Sequence, residues 1–345
     1  MTRSVARAIT LAAAVVLSAV PLAAAAKAPA AASSTDAATA RDRLAAAIAR
    51  LSKQTDGTVG VAIQRADGGP VTTLNSGVTF PMASTFKIAV AGAIFARIDR
   101  GELALDQMVA VDPAMIVNSA GIAEQLPHPG ISLSVYNLLE LMLTRSDNTA
   151  TDVLTAQAGG PAAVTAWLRK LGITGQRVEA DTAHLIYRAL EITPGPGTFK
   201  KNVEAAFAAD PSKAERDEKR VPNAAFNADP RDSSTPEAMA QLLLAIHSNK
   251  ALSPASTKTL IEIMERCETG ANRLKGLLPL GTVVAHKTGT LSSIANDVGL
   301  VTLPDGRKFV IAVFVKGDTK GTAVQERVIA DIARTAYDYF TLGGV

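Results

Sequence analysis

Cysteine and histidine are scarce in this chain of 345 residues, which contains one cysteine and four histidines. A single cysteine cannot form an intrachain disulfide in any redox compartment. No Cys/His cluster has the spacing of a zinc site, so a zinc mechanism is disfavoured and no metal or cofactor is expected. Cys267 ends the apolar helical run Ile261–Cys267, which predicts a buried thiol rather than a reactive one.

Aromatic content and net charge are also low: 4% of the residues are aromatic, and the formal net charge is +3. No basic stripe with interleaved aromatic residues is present, which argues against a nucleic-acid partner. A hydrophobic content of 48% is nevertheless enough for a real core. The composition therefore predicts a globular protein that does not bind nucleic acid.

Long hydrophobic runs are absent except near the amino terminus. Two arginines precede an apolar run over residues 8–20, and small residues follow up to Ala26. This pattern is typical of a secretory signal peptide over residues 1–26. The run is short for a membrane span of about 20 residues, and no cysteine for a lipid anchor precedes the cleavage position. We expect a linker over residues 27–36, a single domain over residues 37–345, and a periplasmic or secreted protein that leaves the membrane after cleavage.

Three short motifs stand far apart in the chain and occur once each. They are Ser84-Thr85-Phe86-Lys87, Ser146-Asp147-Asn148 and Lys287-Thr288-Gly289. The Ser-x-x-Lys motif alone is weak, because two common residues at one spacing often arise by chance. The two later tripeptides make the match strong, since all three motifs together mark penicillin-recognising serine enzymes.

Ser84 and Lys87 have the spacing of a nucleophile and its base. A serine hydroxyl needs a base within hydrogen-bond reach at neutral pH, and helix positions i and i+3 share a face. The apolar run Ile88–Ala96 predicts a buried helix, in which burial and nearby positive charge favour a neutral amine. The alternative is a helix-capping serine followed by a solvated lysine, and the apolar flanks argue against it.

From about Ala37 to Tyr339 the chain resembles the class A β-lactamases. Besides the motifs, the resemblance rests on Gly159-Gly160-Pro161, Thr269-Gly270, Arg273-Leu274-Lys275-Gly276-Leu277-Leu278-Pro279, Asn296-Asp297-Val298-Gly299 and Pro304-Asp305-Gly306. It implies a monomeric serine hydrolase whose substrate is a small β-lactam antibiotic. The ring would be opened through an acyl-enzyme, which water then hydrolyses.

The resemblance also implies a role for each motif residue. Ser84 is the acylated nucleophile, Lys87 its proton relay, and Ser146 the donor to the leaving nitrogen. Asn148 binds the substrate's side-chain amide. The substrate carboxylate and carbonyl are held by Lys287, Thr288, Gly289, Thr290 and Arg273. The N–H groups of Ser84 and Thr290 form an oxyanion hole, in which one donor is worth about 10²–10³ in rate. His286 has no part in this chemistry and is expected to be structural.

The loop that carries the deacylating glutamate in this family departs from the family pattern here. The family has an Arg-x-Glu segment, an asparagine a few residues later, and an Arg-Asp at the end of the loop. Arg231-Asp232 matches that end. An ungapped extension from Leu171-Gly172 places Thr182 at the glutamate position, which would leave an enzyme that acylates but cannot deacylate.

A second alignment assigns the extra residues to about 181–215. Arg216-Asp217-Glu218, Asn223 and Asp232 then reproduce the loop. We prefer this alignment, which predicts Glu218 as the deacylation base, Asn223 as a substrate-binding residue and an Arg216–Asp232 clamp. A solvated charge run is the alternative interpretation, and Glu179 and Glu191 are further candidates for the base.

Strands at both ends and a helical middle predict an α/β fold of the α+β type. The predicted strands are Thr58–Arg65, Val71–Leu74, Val283–Thr288, Asp297–Leu303 and Lys308–Val315. One antiparallel sheet would be built from residues 37–83 and 249–345, with helices packed on it. Residues 84–248 would form an inserted helical lobe, and the active site would lie in the crevice between the two.

Two other functions use the same nucleophile chemistry. One is a D-alanyl-D-alanine peptidase that acts on peptidoglycan. The other is a β-lactam-binding protein that is acylated without efficient deacylation.

Overall fold

The computed structural model describes residues 34–343, apart from Ala120 and Pro127. The predicted signal peptide lies outside the described residues, as do residues 27–33 of the predicted linker. A helix begins at Ser34, so the end of the segment predicted as a linker is helical.

The central sheet has five antiparallel strands drawn from both ends of the chain. The strands of the described residues are β1 (Thr58–Arg65), β2 (Thr72–Leu74), β3 (Phe80–Pro81), β4 (Met108–Ala110), β5 (Ser132–Ser134), β6 (Ser233–Ser234), β7 (Val284–Leu291), β8 (Ile294–Thr302) and β9 (Lys308–Lys316). The central sheet has the order β2-β1-β9-β8-β7, while β3 pairs with β6 and β4 with β5. The sheet predicted from the two ends of the chain is therefore confirmed.

Helices cover both faces of this sheet and form most of the chain between β3 and β7. They are α1 (Ser34–Leu51), α2 (Lys87–Asp99), α3 (Ile122–Gln125), α4 (Val135–Thr144), α5 (Asn148–Gln157), α6 (Pro161–Lys170), α7 (Thr182–Ala189), α8 (Phe199–Ala209), α9 (Pro211–Glu218), α10 (Ala224–Ala228), α11 (Pro236–His247), α12 (Pro254–Glu265) and α13 (Thr322–Thr341). Side-chain caps start several of them: Asp147 caps α5 and Thr235 caps α11. The region predicted as helical almost throughout also contains the short strands β4, β5 and β6.

Strand β9 shows why the core has two sides. Its side chains alternate between two buried clusters, as the two-residue period of a strand requires. Phe309, Ile311, Val313 and Val315 pack in the cluster that includes α1 and α13 residues, whereas Val310, Ala312 and Phe314 join the cluster of the inserted helices. Complete burial of such side chains contributes about 1.5–3 kcal/mol each, so both helical layers are bound to one sheet.

The extra segment after α7 is mostly helical and comprises α8, α9 and α10. A small separate cluster of Val117, Tyr187, Ile192 and Phe199 holds its first part against the lobe. Residues 216–218, which were predicted as part of a loop, lie in the last turn of α9. This segment therefore adds a helical layer beside the cleft rather than a longer loop.

Candidate active site

Ser84 lies in a single tight turn, Ala83–Phe86, that leads directly into α2. The buried Asn296 side chain holds the entry to this turn by donating to Pro81 O at 2.9 Å and Met82 O at 3.0 Å. Ser84 itself is half-buried. Among the described residues no group hydrogen-bonds its hydroxyl, which leaves Oγ open to a substrate.

Lys87 follows on α2 and is completely buried. Its Nζ donates to Ser146 O at 2.7 Å and Asn148 Oδ1 at 2.8 Å, and it lies 3.3 Å from Ser146 Oγ. Burial, and then the positive charge of Lys287, lower the pKa of Lys87 well below its usual range. A neutral amine has two N–H groups and one lone pair. With both N–H groups on carbonyl oxygens, the lone pair is available to accept a proton.

The turn between α4 and α5 places Ser146 and Asn148 against Lys87. Ser146 adopts a left-handed conformation with φ of 60°. Asp147 stabilises the turn: its carboxylate accepts from Ala150 N at 2.6 Å, Ile122 N at 2.8 Å and the Ser119 hydroxyl at 2.9 Å. Asp147 is therefore a structural residue of the motif, since its oxygens accept from the nearby donors that fix the turn.

Lys287 reaches the same serine from the opposite side of the cleft. It is completely buried on β7 and donates to Ser146 Oγ and to Thr288 O, each at 2.9 Å. Burial lowers the pKa of Lys287 to about 8, because the charges of Cys267 and Asp297 only partly oppose it. An ammonium group has three donors, so one N–H remains for a substrate.

Gly289 brings the edge strand β7 close to the Ser84 turn. A Cβ at this position would lie 2.5 Å from Met82 O and 3.1 Å from Ser84 N, so only glycine allows this approach. The next residue, Thr290, receives a hydrogen bond on Oγ1 from Arg273 Nη2 at 2.8 Å. The backbone N–H groups predicted to hold an oxyanion, those of Ser84 and Thr290, therefore belong to neighbouring segments.

Arg273 is almost completely buried and acts as a brace for β7. Its Nη1 donates to Gly289 O at 3.1 Å and Asn296 O at 3.0 Å, while Nε pairs with Glu326 at 3.2 Å. Together with its contact to Thr290, these bonds leave little of the guanidinium for a ligand. Arg273 thus supports the residues that would meet a substrate carboxylate.

A buried polar cluster behind β7 was not anticipated from the sequence as a unit. His286 Nδ1 lies 2.8 Å from Asp297 Oδ1, and both side chains are completely buried. Burial lowers the pKa of His286, but the Asp297 charge outweighs it and raises the pKa to about 9. The sequence feature that could have indicated this cluster is Asn296-Asp297, on the strand beside His286. Whether Asp297 contacts His286 depends on the register of β7 with β8.

Cys267 completes this cluster. The thiol lies 3.3 Å from Thr269 Oγ1, which lies 2.6 Å from Thr288 Oγ1. Burial raises the pKa of Cys267, but the neighbouring His286 imidazole and then the charge of Lys287 lower it to about 7. The thiol is buried as predicted, and it is also connected through Thr269 to a predicted substrate-binding hydroxyl.

The predicted deacylation base, Glu218, is exposed at the end of α9. Among the described residues it forms no hydrogen bond or ion pair with Ser84, Lys87 or Ser146. Asn223 caps α10 through Phe226 N at 3.0 Å and donates to Ala189 O at 3.1 Å. The structure does not connect either residue to the lysine–serine network, and their roles stay predictions.

The other two glutamate candidates are held by basic or amide groups. Glu179 is paired with Arg177 at 3.0 Å, and Glu191 accepts from Asn223 Nδ2 at 3.2 Å. The predicted Arg216–Asp232 clamp is not formed. Asp232 is instead paired with Arg188 at 2.5 Å, because the helix α7 intervenes and supplies the arginine.

Thr182 lies at the start of α7 and is buried. Its N–H donates to Asp152 Oδ1 at 2.6 Å, and Ala183 N donates to Asp152 Oδ2 at 3.1 Å. Asp152 is on α5, one helical turn after Asn148. Burial, and then the charge of Asp181, raise the pKa of Asp152 to about 6.

The described residues contain neither a candidate metal-binding cluster nor a candidate membrane-spanning helix. No group of three or more His, Cys, Asp or Glu side chains within them could hold a metal ion. Across the same part of the chain, no helix is long and apolar enough to cross a membrane.

The three motifs thus converge on one buried pair of lysines that share the hydroxyl of Ser146. A model of the β-lactamase enzyme family matches residues 43–340. The chain belongs to this family. The enzyme is 33% identical over 290 residues to the extended-spectrum β-lactamase PER-1 of Pseudomonas aeruginosa, with 82% of each chain covered. It is 29% identical over 309 residues to β-lactamase VEB-1 of the same organism, which covers 87% of this chain and 91% of VEB-1.

Solved structures show the same fold. The TLA-1 extended-spectrum β-lactamase superposes with a TM-score of 0.72 at 28% identity, covering 88% of this chain and 99% of that one. An ancestral class A β-lactamase gives a TM-score of 0.70 at 29% identity, with 86% and 99% covered. These likenesses confirm the predicted class A resemblance, the predicted fold and the serine β-lactamase activity. The enzyme opens the β-lactam ring through a serine ester and then hydrolyses that ester.

Proposed function

We propose that Ser84, Lys87 and Ser146 carry out the acylation half of β-lactam hydrolysis in this enzyme. Ser84 Oγ attacks the β-lactam carbonyl carbon while its proton passes to the neutral Lys87 amine. Ser146 then gives its proton to the ring nitrogen as the C–N bond breaks, and it recovers a proton from Lys87, which is neutral again. The observation that carries this proposal is the position of Ser146 Oγ, 3.3 Å from Lys87 Nζ and 2.9 Å from Lys287 Nζ.

The remaining motif residues would bind the substrate. The free N–H of Lys287 and the hydroxyls of Thr288 and Thr290 would hold its carboxylate, with Arg273 as support. The N–H groups of Ser84 and Thr290 would stabilise the oxyanion, which is worth about 10²–10³ in rate per donor. The Asn148 amide, whose Nδ2 now donates to Asn118 O at 3.0 Å, would bind the side-chain amide.

The nucleophile is tested with Ser84→Ala and intact-mass measurement after incubation with a penicillin. The wild type is expected to gain the mass of one β-lactam, and the variant to gain none and to lose ring opening. Ser132 is an exposed serine on β5. The Ser132→Ala variant is the matched control and is expected to keep both the mass gain and ring opening. An adduct on the Ser84→Ala protein would place the nucleophile elsewhere.

Two further assignments rest on sequence and resemblance. Export would remove residues 1–26 and release a periplasmic or secreted monomer. Mass measurement of the protein from the periplasm, combined with light scattering on the purified protein, tests both. An intact amino terminus contradicts export, and a dimer mass contradicts the monomer.

A further inference from the structure

Hydrolysis of the Ser84 ester needs a group that takes a proton from water. The water oxygen bonds to the acyl carbon, the bond from that carbon to Ser84 Oγ breaks, and Oγ recovers a proton. A positioned base contributes about 10²–10⁴ to the rate of such a step. Such a base must be one of the carboxylates or amines near Ser84.

The carboxylates whose charges act on Lys87 are Asp147 and Asp152. Both are buried, and both use their oxygens for hydrogen bonds. Asp147 accepts from two backbone N–H groups and the Ser119 hydroxyl, and Asp152 accepts from the N–H groups of Thr182 and Ala183. Asp147 is completely buried and Asp152 is 4% exposed, so neither carboxylate is open to water in the cleft.

The described glutamates of the neighbouring segments form no hydrogen bond with Ser84, Lys87 or Ser146. Asp232 fixes the backbone before α7, because it accepts from Glu179 N at 2.7 Å and from Ala180 N at 3.0 Å. The Glu179 side chain forms an ion pair with Arg177 and is 35% exposed, and the Glu191 side chain is 55% exposed. With Glu218 exposed as well, no glutamate carboxylate of the described residues hydrogen-bonds Ser84, Lys87 or Ser146.

Thr182, at the start of α7, is linked to this network only through Asp152. Its backbone is tied to Asp152, and Asp152 lies one turn of α5 from the Asn148 amide that binds Lys87. Thr182 is buried, and its hydroxyl has no well-formed hydrogen bond. A hydroxyl cannot take a proton from water near neutral pH, so this position supplies no base.

We propose that hydrolysis of the Ser84 ester is the slow step in this enzyme, because the carboxylates whose charges act on Lys87 are buried and Thr182, which is bound to Asp152, offers only a hydroxyl. The proposal rests on the proposed role of Ser84. Lys87 remains as the base: it accepts a proton from water and returns one to Ser84 Oγ. Acylation uses the same neutral amine with the strained ring as substrate, so the ester forms faster than it is hydrolysed and accumulates.

The first test follows the wild-type enzyme under excess β-lactam by rapid quench and intact mass. We expect a burst close to one equivalent of opened ring, a slower steady state, and Ser84 ester as the main species. Linear turnover from the start, with the free enzyme as the main species, would overturn the inference. Absence of both adduct and ring opening would instead refute the proposed role of Ser84, and the inference would fall with it.

The second test adds a carboxylate with Thr182→Glu and uses Thr182→Gln as the control of matched shape without charge. The Glu variant is expected to hydrolyse the ester at least ~10-fold faster and to lose the burst. The Gln variant is expected to keep the slow hydrolysis and the burst of the wild type. Equal ester lifetimes in the two folded variants would contradict the proposal. Glu218→Gln tests the base that was predicted from the sequence. A longer ester lifetime in this variant would identify Glu218 as the base and overturn the proposal, whereas an equal lifetime agrees with it.

Discussion

Lys287 Nζ donates to the hydroxyl of Ser146 at 2.9 Å, although the two residues are 141 positions apart in the chain. Lys87 approaches the same hydroxyl from the other side. Ser146 thus connects the amine next to the nucleophile with the amine that would bind the substrate carboxylate. A proton can pass from one side of the cleft to the leaving nitrogen through this single side chain.

Replacement of Ser146 by alanine should therefore slow acylation. Loss of a positioned proton donor costs about 10²–10⁴ in rate, while Ser84 and Lys87 stay in place. Single-turnover acylation of the variant measures the effect, with Ser132→Ala as the exposed control. An unchanged acylation rate would mean that protons reach the leaving nitrogen by another route.

The charge of Lys287 should set the alkaline limit of activity. Its pKa is lowered to about 8, so it loses its positive charge, and its attraction for a carboxylate, as the pH rises through about 8. We expect kcat/KM to fall in this range through a rise in KM. Arginine stays charged throughout, so Lys287→Arg should remove this fall. Lys250→Arg, at an exposed position, is the control; the same alkaline fall in Lys287→Arg would refute the assignment.

Loss of the Cys267 charge should shift the alkaline limit that Lys287 sets. Its thiol has a pKa lowered to about 7, and its negative charge opposes the lowering of the Lys287 pKa. Cys267→Ser removes the charge, so the alkaline fall in kcat/KM should move to lower pH. Cys267→Asp keeps a negative charge and should restore the original position. Identical pH profiles for the two variants would show that the thiol acts only through packing.

The His286–Asp297 pair should contribute stability that depends on pH. The folded pKa of His286, about 9, lies above its usual value of 6.5. The stabilisation is therefore fully present below about 6.5 and is lost as the pH rises through about 9. Asp297→Asn should cost about 3–5 kcal/mol, because it leaves a buried imidazole without its partner.

Urea unfolding at the two ends of this pH range measures that effect. Asp305→Asn is the matched control, since Asp305 is an exposed turn residue paired with Arg307. A variant at Asp297 that is as stable as the control would contradict a structural role for the pair.

The extra segment is joined to the tip of the β7–β8 hairpin by two side chains. Arg220 Nη2 donates to Leu291 O at 2.9 Å, and the Ser292 hydroxyl donates to Asp217 at 2.9 Å. Arg220→Ala should remove about 1 kcal/mol of stability and speed hydrogen exchange in α9 and at the hairpin tip. Lys219→Ala, whose side chain is exposed and paired with Glu215, should change neither. Equal exchange in both variants would show that the segment is held by other contacts.

Local patterns were sufficient for much of the fold. The two-residue period of the terminal strands and the apolar run after Lys87 predicted elements that the structure has within a few residues. The glutamate position could not be assigned in this way. The choice between Thr182 and Glu218 depended on where the extra residues lie, and a dense charge run matches a loop motif as easily as an exposed helix such as α9.

The sequence by itself determined the chemical groups of the site, because a serine and a lysine at helical spacing and a glycine after Lys-Thr are local features of the chain. It also determined the sheet with its inserted helices, because residue periodicity follows from backbone geometry. Only the tertiary structure decided that Ser146 lies between two lysines, that Arg188 pairs with Asp232, and that Thr182 lies against Asp152. Those contacts join segments far apart in the chain, and their distances follow from how the helices and the sheet pack rather than from any local pattern.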